Sequence, residues 1–249
     1  MSIEKTSAVV VTLIPWRESS FIVTLFTKEH GMISGAAKGV RRAKQMNVPL
    51  ERGQIIDTVI YIRNARSVQT LTDIQISGYY PSIRGDLEKT ALRDIALELL
   101  LKAVKDTHSH PELFDRVVQC FNGFECALSR TQLFPALWNF IVDMAGLLGF
   151  GFSVDKCIVC KKGDCLTDKE AYLVIEQGGL VCDSCAHMLK PEYLIPSTVC
   201  AALRGTLSDT AVFTSHECLR LTKLFIAYCK YHMEFSQEFR SVSFLEEIL

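Results

Sequence analysis

The spacing of apolar residues changes once along this 249-residue chain, around Gly78-Tyr79-Tyr80-Pro81, and no other feature restricts the fold as strongly. Before that point the apolar residues come in short runs rich in strand formers. Val9, Val10, Val11, Leu13 and Ile14 form one run, which Pro15 is expected to close. Phe21 to Thr27 forms a second, and Met32 to Ala37, after a turn at Gly31, a third. Ile55 to Ile62 and Ser67 to Ile74 follow, joined by Asn64-Ala65-Arg66; the last run alternates apolar and polar residues as a half-buried strand does. Five short strands in so little chain predict a small barrel or sandwich, and an OB-like barrel is the commonest solution at this size.

Beyond Pro81 the period is helical. Leu87, Ala91, Ile95 and Leu99 recur at every fourth residue, beside Leu92, Ala96, Leu100 and Val104. Pro111 suits a helix start, with Ser109 and Glu112 at capping-box spacing, and the stripe continues through Phe114, Val117, Val118, Phe121 and Leu128. A third helix is expected from about Leu133, capped by Gly149. Thr214 and Glu217 have the spacing of another capping box, opening a helix through Leu221, Phe225, Cys229 and His232. The expected fold class is therefore α+β, with a barrel over residues 1–80 and an all-α domain over 81–249.

No stretch approaches the ~18 apolar residues of a membrane span. The start, Met1 to Lys5, lacks the pattern of a secretory signal, and the apolar run from Ala8 stops at Pro15. A cytoplasmic location is expected, where the ten cysteines stay reduced rather than forming a disulfide framework. Four of them carry a sharper signal. Cys157-Ile158-Val159-Cys160 and Cys182-Asp183-Ser184-Cys185 are two Cys-x-x-Cys pairs with 21 residues between them. Each pair can set two thiolates on one tight turn, and two such turns make a tetrahedral four-sulfur site that suits zinc. Ala171 to Ile175, the Gly178-Gly179 turn and Leu180-Val181 predict a hairpin between the pairs, a zinc-ribbon-like insertion at about 155–188. Cys165 and His187 are near enough in sequence to replace one ligand. Cys120, Cys126, Cys200, Cys218 and Cys229 are isolated on helical patterns and are expected in the core.

A closed four-sulfur site leaves no position for a reacting water, so its role is expected to be structural. His110-Pro111-Glu112 matches half of the zinc-deaminase signature, but Lys156 and Val181, not proline, precede the two cysteine pairs. There is no phosphate loop, nucleophile elbow or paired-carboxylate motif. The chain is expected not to be an enzyme.

The net charge of −1 is unevenly spread: residues 1–80 hold ten Lys and Arg against six Asp and Glu. Lys38-Gly39-Val40-Arg41-Arg42-Ala43-Lys44 has four cations and no acid directly after a predicted strand. Cations at one end of a barrel suit phosphate, so Lys38, Arg41, Arg42 and Lys44 are candidate DNA-binding residues, extended by Arg63, Arg66 and Arg52. A charge run can equally be a solvated face. Few aromatics are available to stack on bases; Trp16, Phe21, Phe26 and Tyr61 are the candidates.

Taken together, these stretches resemble the RecO family of bacterial DNA repair proteins. The resemblance is carried by Arg17 to Gly31, by Ala36-Ala37-Lys38-Gly39-Val40-Arg41-Arg42, and by Asp86-Leu87-Glu88-Lys89. The cysteine pairs after Leu147-Leu148-Gly149-Phe150 and the run Arg240-Ser241-Val242-Ser243-Phe244-Leu245 complete it. It implies an N-terminal OB fold, a helical domain carrying a four-cysteine zinc finger (Cys157, Cys160, Cys182 and Cys185), and a cytoplasmic, nucleoid-associated protein. It implies a recombination mediator that binds single- and double-stranded DNA, anneals complementary strands and, with RecR, helps load RecA onto coated single strands. It also implies a groove in the helical domain for the acidic C-terminal tail of single-stranded DNA-binding protein, for which Lys102, Arg116 and Arg130 are available cations. The competing reading is a zinc-stapled interaction scaffold that does not touch DNA.

Overall fold

A computed structural model of the chain describes residues 2–40, 49–63, 65–105, 107–167, 169–189, 193–208 and 211–249. They form two compact units, Met1–Glu125 and Cys126–Leu249.

In the first unit, strands β1 (Ser2–Trp16), β2 (Ser20–Thr27), β3 (Gly31–Ala37), β4 (Ile55–Ile62) and β5 (Gln69–Gly78) close into a barrel of order β1-β2-β3-β5-β4. All neighbours are antiparallel except β3 and β5, which run parallel from Gly35↔Gln69 to Ala37↔Leu71. This is the Greek-key strand order of an OB-type barrel. Val10, Val23, Leu25, Ile33, Ile56, Ile60 and Leu71 fill its interior.

Two strands are longer or shifted relative to the sequence expectation. β1 begins at Ser2 and continues through Pro15. Its first half pairs with β4, Ser2↔Ile62 to Val9↔Ile55, and its second half with β2, Ala8↔Thr27 to Trp16↔Ser20. One long strand thus serves two neighbours, with a bulge between Val10 and Thr12 where it passes from one to the other. Glu4, Lys5 and Thr6 belong to it because of this pairing, not because of their own strand preference. Pro15 is tolerated because it lies one residue from the hairpin turn, where a missing ladder donor matters little. β5 starts at Gln69, whose side chain closes the preceding turn: the Arg63 N–H donates to Gln69 Oε1 (2.8 Å), and Gln69 Nε2 donates to the Arg66 carbonyl (2.7 Å).

Helices α1 (Pro81–Gly85), α2 (Leu87–Ala103) and α3 (Pro111–Cys126) follow in the same unit. The strand-to-helix change falls where the apolar period places it, and these three helices group with the barrel. Asp86 caps α2 by accepting from the Lys89 N–H (2.9 Å). Lys89 is buried, and its ammonium donates to Ser82 Oγ (2.6 Å) and the Glu125 carbonyl (3.3 Å). Ser109 makes no box with Glu112. Proline at the first helical position moves the cap to His110, and the Ser109 hydroxyl donates to the Lys28 carbonyl (3.1 Å). Leu128 lies beyond α3 and is 93% exposed, so it is not part of the apolar stripe.

The second unit contains α4 (Arg130–Leu147), β6 (Ala171–Val174), β7 (Gly179–Cys182), α5 (Asp183–Leu189), β8 (Tyr193–Ile195), α6 (Ser197–Leu203), α7 (Ser215–His232) and α8 (Arg240–Ile248). Trp138 of α4 is fully buried, with the rings of Phe134, Phe213 and Phe225 at 5.4–6.0 Å and its indole N–H donating to Thr222 Oγ1 on α7 (3.1 Å). α4 ends as expected at Gly149. With φ +90° there, the Phe150 N–H reaches the Ala145 carbonyl (2.8 Å) and the Gly149 N–H the Gly146 carbonyl (3.1 Å). The capping box at Thr214 and Glu217 is complete in both directions. Among the described residues no helix is long and apolar enough to cross a membrane.

Candidate metal centre and nucleic-acid interface

The first cysteine pair sits on a knuckle. The Lys161 N–H donates to the Cys157 carbonyl and the Cys157 N–H to the Lys162 carbonyl, both at 2.9 Å. Lys161 takes a left-handed conformation, φ +62°, which turns the chain sharply after Cys160. The knuckle docks on the β6–β7 hairpin: the Ile158 N–H donates to the Leu180 carbonyl (2.9 Å). Gly179 makes this approach possible, since a Cβ there would run into the Ile158 side chain.

The second pair differs from the expected ribbon geometry. Cys182 is the last residue of β7 and Cys185 lies in the first turn of α5, so a strand-to-helix junction presents these two thiols. β8 adds a third strand to the sheet, in the order β7-β6-β8. Tyr228, Arg204 and His232 help to tie the module to its own unit. Tyr228 Oη donates to the Phe150 carbonyl (2.9 Å), Arg204 donates to the Val154 and Leu166 carbonyls (2.9 Å each), and His232 Nε2 meets the Ile175 carbonyl (2.6 Å).

These turns bring the Sγ atoms of Cys157, Cys160, Cys182 and Cys185 within 4.8 Å of one another. A zinc tetrathiolate with ~2.3 Å bonds has sulfur–sulfur edges of about 3.8 Å, so the four need close by no more than ~1 Å. The donor set therefore fits a soft metal ion. Cys157, Cys182 and Cys185 are buried and Cys160 is half-buried. His187 is exposed and outside the group, whereas Cys165 Sγ lies 3.6 Å from Cys160 Sγ.

The metal-free thiols bias one another. Burial raises the Cys157 thiol, but the N–H groups of Cys182, Cys160 and Val159 and the Cys160 thiol outweigh it, bringing Cys157 down to about 6. Sharing a proton with Cys182, then burial, then Cys160 and Cys157, pushes Cys185 up to about 12. The two thiols are thus shifted in opposite directions, the response of crowded thiols to the cost of adjacent negative charges. Of the isolated cysteines, Cys120, Cys200, Cys218 and Cys229 are buried as expected, while Cys126 is exposed.

Among the basic candidates, Arg41, Arg42 and Lys44 lie outside the described residues. Lys38 is exposed directly after β3, and Gly39, at φ +74°, turns the chain there. Arg63 and Arg66 line one cavity of about 380 Å³ on the barrel, together with His30, Ser34, Ser67 and Thr107. Neither guanidinium has an acidic partner among the described residues; His30 pairs with Glu4 (2.6 Å). Arg52 does not extend this set: its Nε donates to the Val11 carbonyl (3.1 Å) and it pairs with Asp94 (3.3 Å). Phe26 is core, beside Phe114, whereas Trp16 is half-buried at the β1–β2 turn with the Arg17 guanidinium 4.4 Å above its ring. The hydroxyl lining of the cavity was not apparent in sequence, because Ser34 and Ser67 stand on β3 and the β4–β5 turn, 33 residues apart.

In the second unit, α7 and α8 enclose a groove of about 240 Å³, with Ile226, Phe239 and Val242 as its apolar floor and Lys223 and Lys230 at its rim. Lys223 pairs with Glu246 (2.8 Å) and Lys230 with Glu238 (3.5 Å). Lys102, Arg116 and Arg130 are not among its lining residues.

An OB-type barrel with an open pair of guanidiniums, followed by a helical unit whose four clustered thiols could hold a metal ion, defines a two-part protein. Comparison with known sequences gives the family. Residues 1–80 match the model for the N-terminal region of recombination protein O, and residues 84–238 match that for its C-terminal region. The chain is similar to the DNA repair protein RecO of Chlorobium limicola (25% identical, aligned over 99% of each chain) and to that of Chloroherpeton thalassium (27%, again 99% of each). It is 30% identical to the DNA repair protein RecO of Pelobacter propionicus over 73% of this chain and 72% of that one. The chain belongs to the RecO family.

Proposed function

We propose that the chain is a non-enzymatic recombination mediator that binds single- and double-stranded DNA through its barrel and anneals complementary strands. The observation that carries this is the Arg63–Arg66 pair on one barrel cavity without an acidic counter-charge among the described residues. Guanidiniums so placed take phosphate oxygens, and neutralising two strands at once lowers their mutual repulsion. The relatives' role in DNA repair supports the same reading. Lys38 and the sequence neighbours Arg41, Arg42 and Lys44 add cations to the contact.

The metal of the four-thiol site is zinc in this reading, because four thiolates within 4.8 Å of one another suit it and four sulfur donors leave no open position on a tetrahedral ion. Bound zinc supplies a cross-link between knuckle and strand-to-helix junction. In the helical unit, the α7–α8 groove suits an apolar peptide end with acidic residues, whose carboxylates would displace Glu246 from Lys223 and Glu238 from Lys230. The acidic tail of single-stranded DNA-binding protein fits that chemistry. RecR as partner, loading of RecA and a place at the nucleoid follow from the family likeness. The test is annealing of complementary oligonucleotides, bare and coated with single-stranded DNA-binding protein. The reading expects acceleration in both cases, and an annealing rate equal to the uncatalysed one would reject it in favour of a scaffold that does not touch DNA.

A further inference from the structure

Cys165 stands outside the four-thiol group, yet its Sγ lies 3.6 Å from that of Cys160. That separation is close to the ~3.8 Å edge of a zinc tetrathiolate. The residue sits on a short 3-10 turn, Asp164–Leu166, which brings the chain back against the knuckle. It is half-buried and does not face a hydrocarbon core. Its neighbours are the Cys160 and Cys182 thiols and the Lys162 carbonyl, to which its S–H donates (3.3 Å). That same carbonyl accepts from the Cys157 N–H, so Cys165 is held on the turn that shapes the knuckle.

We infer that Cys165 is a fifth, reserve ligand that replaces Cys160 on the metal. The inference rests on the metal reading proposed above. The exchange is a substitution without electron transfer. The Cys165 S–H proton passes to solvent, its sulfur bonds to the ion, and the Cys160 sulfur leaves and takes up a proton. Cys160 is the ligand replaced, because it is the half-buried member of the four and the one Cys165 meets at 3.6 Å. Cys157 is buried within the knuckle, and among the described residues no further thiol is recorded against it outside the four. A chain with this arrangement keeps four sulfur donors when the Cys160 thiol is alkylated or oxidised.

The full-length chain loaded with Co²⁺ provides the test, read as metal stoichiometry and as the visible absorption of a four-thiolate site. Cys160→Ser and Cys165→Ser should each keep one metal ion per chain. The double variant Cys160→Ser/Cys165→Ser, and Cys157→Ser alone, should lose it. A second measurement avoids altering any of the four ligands. Removal of the ion by a competing chelator should be several-fold faster from Cys165→Ser than from the unsubstituted chain, because the reserve sulfur no longer recaptures it. Loss of metal from Cys160→Ser as complete as from the double variant, or equal chelator rates, would overturn the inference and leave the metal reading standing. Absence of metal from the unsubstituted chain would overturn both.

Discussion

At Cys185 a thiol pushed up to about 12 faces one at Cys157 brought down to about 6, and this contrast makes metal uptake pH-dependent in a defined direction. A metal ion takes thiolates, so at neutral pH binding must expel the Cys185 proton. Metal affinity should therefore rise from about pH 6 to 8, and calorimetry in buffers of different ionisation enthalpy should register proton release. Affinity flat across that window would contradict the donor assignment. Replacing Cys157 with Ser should remove the metal and the folding free energy tied to it. A loss of about 3 kcal/mol would lower the melting temperature by roughly 6–12 °C in a chain of this size, as a thermal melt followed by circular dichroism would read. Gly179 acts without being a ligand. A Cβ there drives Ile158 away, so Gly179→Ala should weaken metal binding while all four sulfurs remain.

Helix α7 depends on its first turn. Thr214 accepts from the Glu217 N–H (3.2 Å), and the Glu217 carboxylate accepts from both the Thr214 hydroxyl and its N–H (2.7 and 2.9 Å). Thr214→Ala should cost about 1 kcal/mol in urea denaturation at neutral pH. The hydroxyl and N–H of Thr214 hold the Glu217 carboxyl below the usual range. A depressed carboxylate stabilises above its unfolded value and loses that contribution as pH falls through the folded one, so the cost of Thr214→Ala should shrink in acid. An equal cost at both pH values would contradict the cap. Elements with their own local signal were legible in sequence: α7 from its capping box, the end of α4 from Gly149, β4 from Ile55 to Ile62, and the cluster of four thiols from two spacings. What escaped was set by partners distant in the chain. Most of the first residues of β1 (Ser2, Glu4, Lys5, Thr6 and Ser7) are polar and become strand by pairing with β4. β8 is three residues that pair with β6. The Arg63–Arg66 cavity needs β3 beside the β4–β5 turn, a juxtaposition that barrel closure creates.

For the whole chain, the proposed function assigns the two units separable tasks. Phe239→Ala should reduce binding of the acidic tail peptide to the α7–α8 groove and leave DNA affinity unchanged, which peptide calorimetry and a DNA titration on the same preparation would separate. Reversal of Arg41 and Arg42 to Glu should weaken DNA binding for any base sequence, since phosphate contacts carry no sequence information. The most direct measurement of the central claim is the salt dependence of single-stranded DNA affinity for the unsubstituted chain and for Arg63→Ala/Arg66→Ala. Each lost phosphate contact on a single strand flattens the slope of log affinity against log salt by ~0.7, so the double variant should bind more weakly with a slope shallower by about 1.4. Metal content should stay the same, because both arginines lie in the barrel unit. Unchanged affinity and an unchanged slope would contradict the assignment of this cavity to DNA.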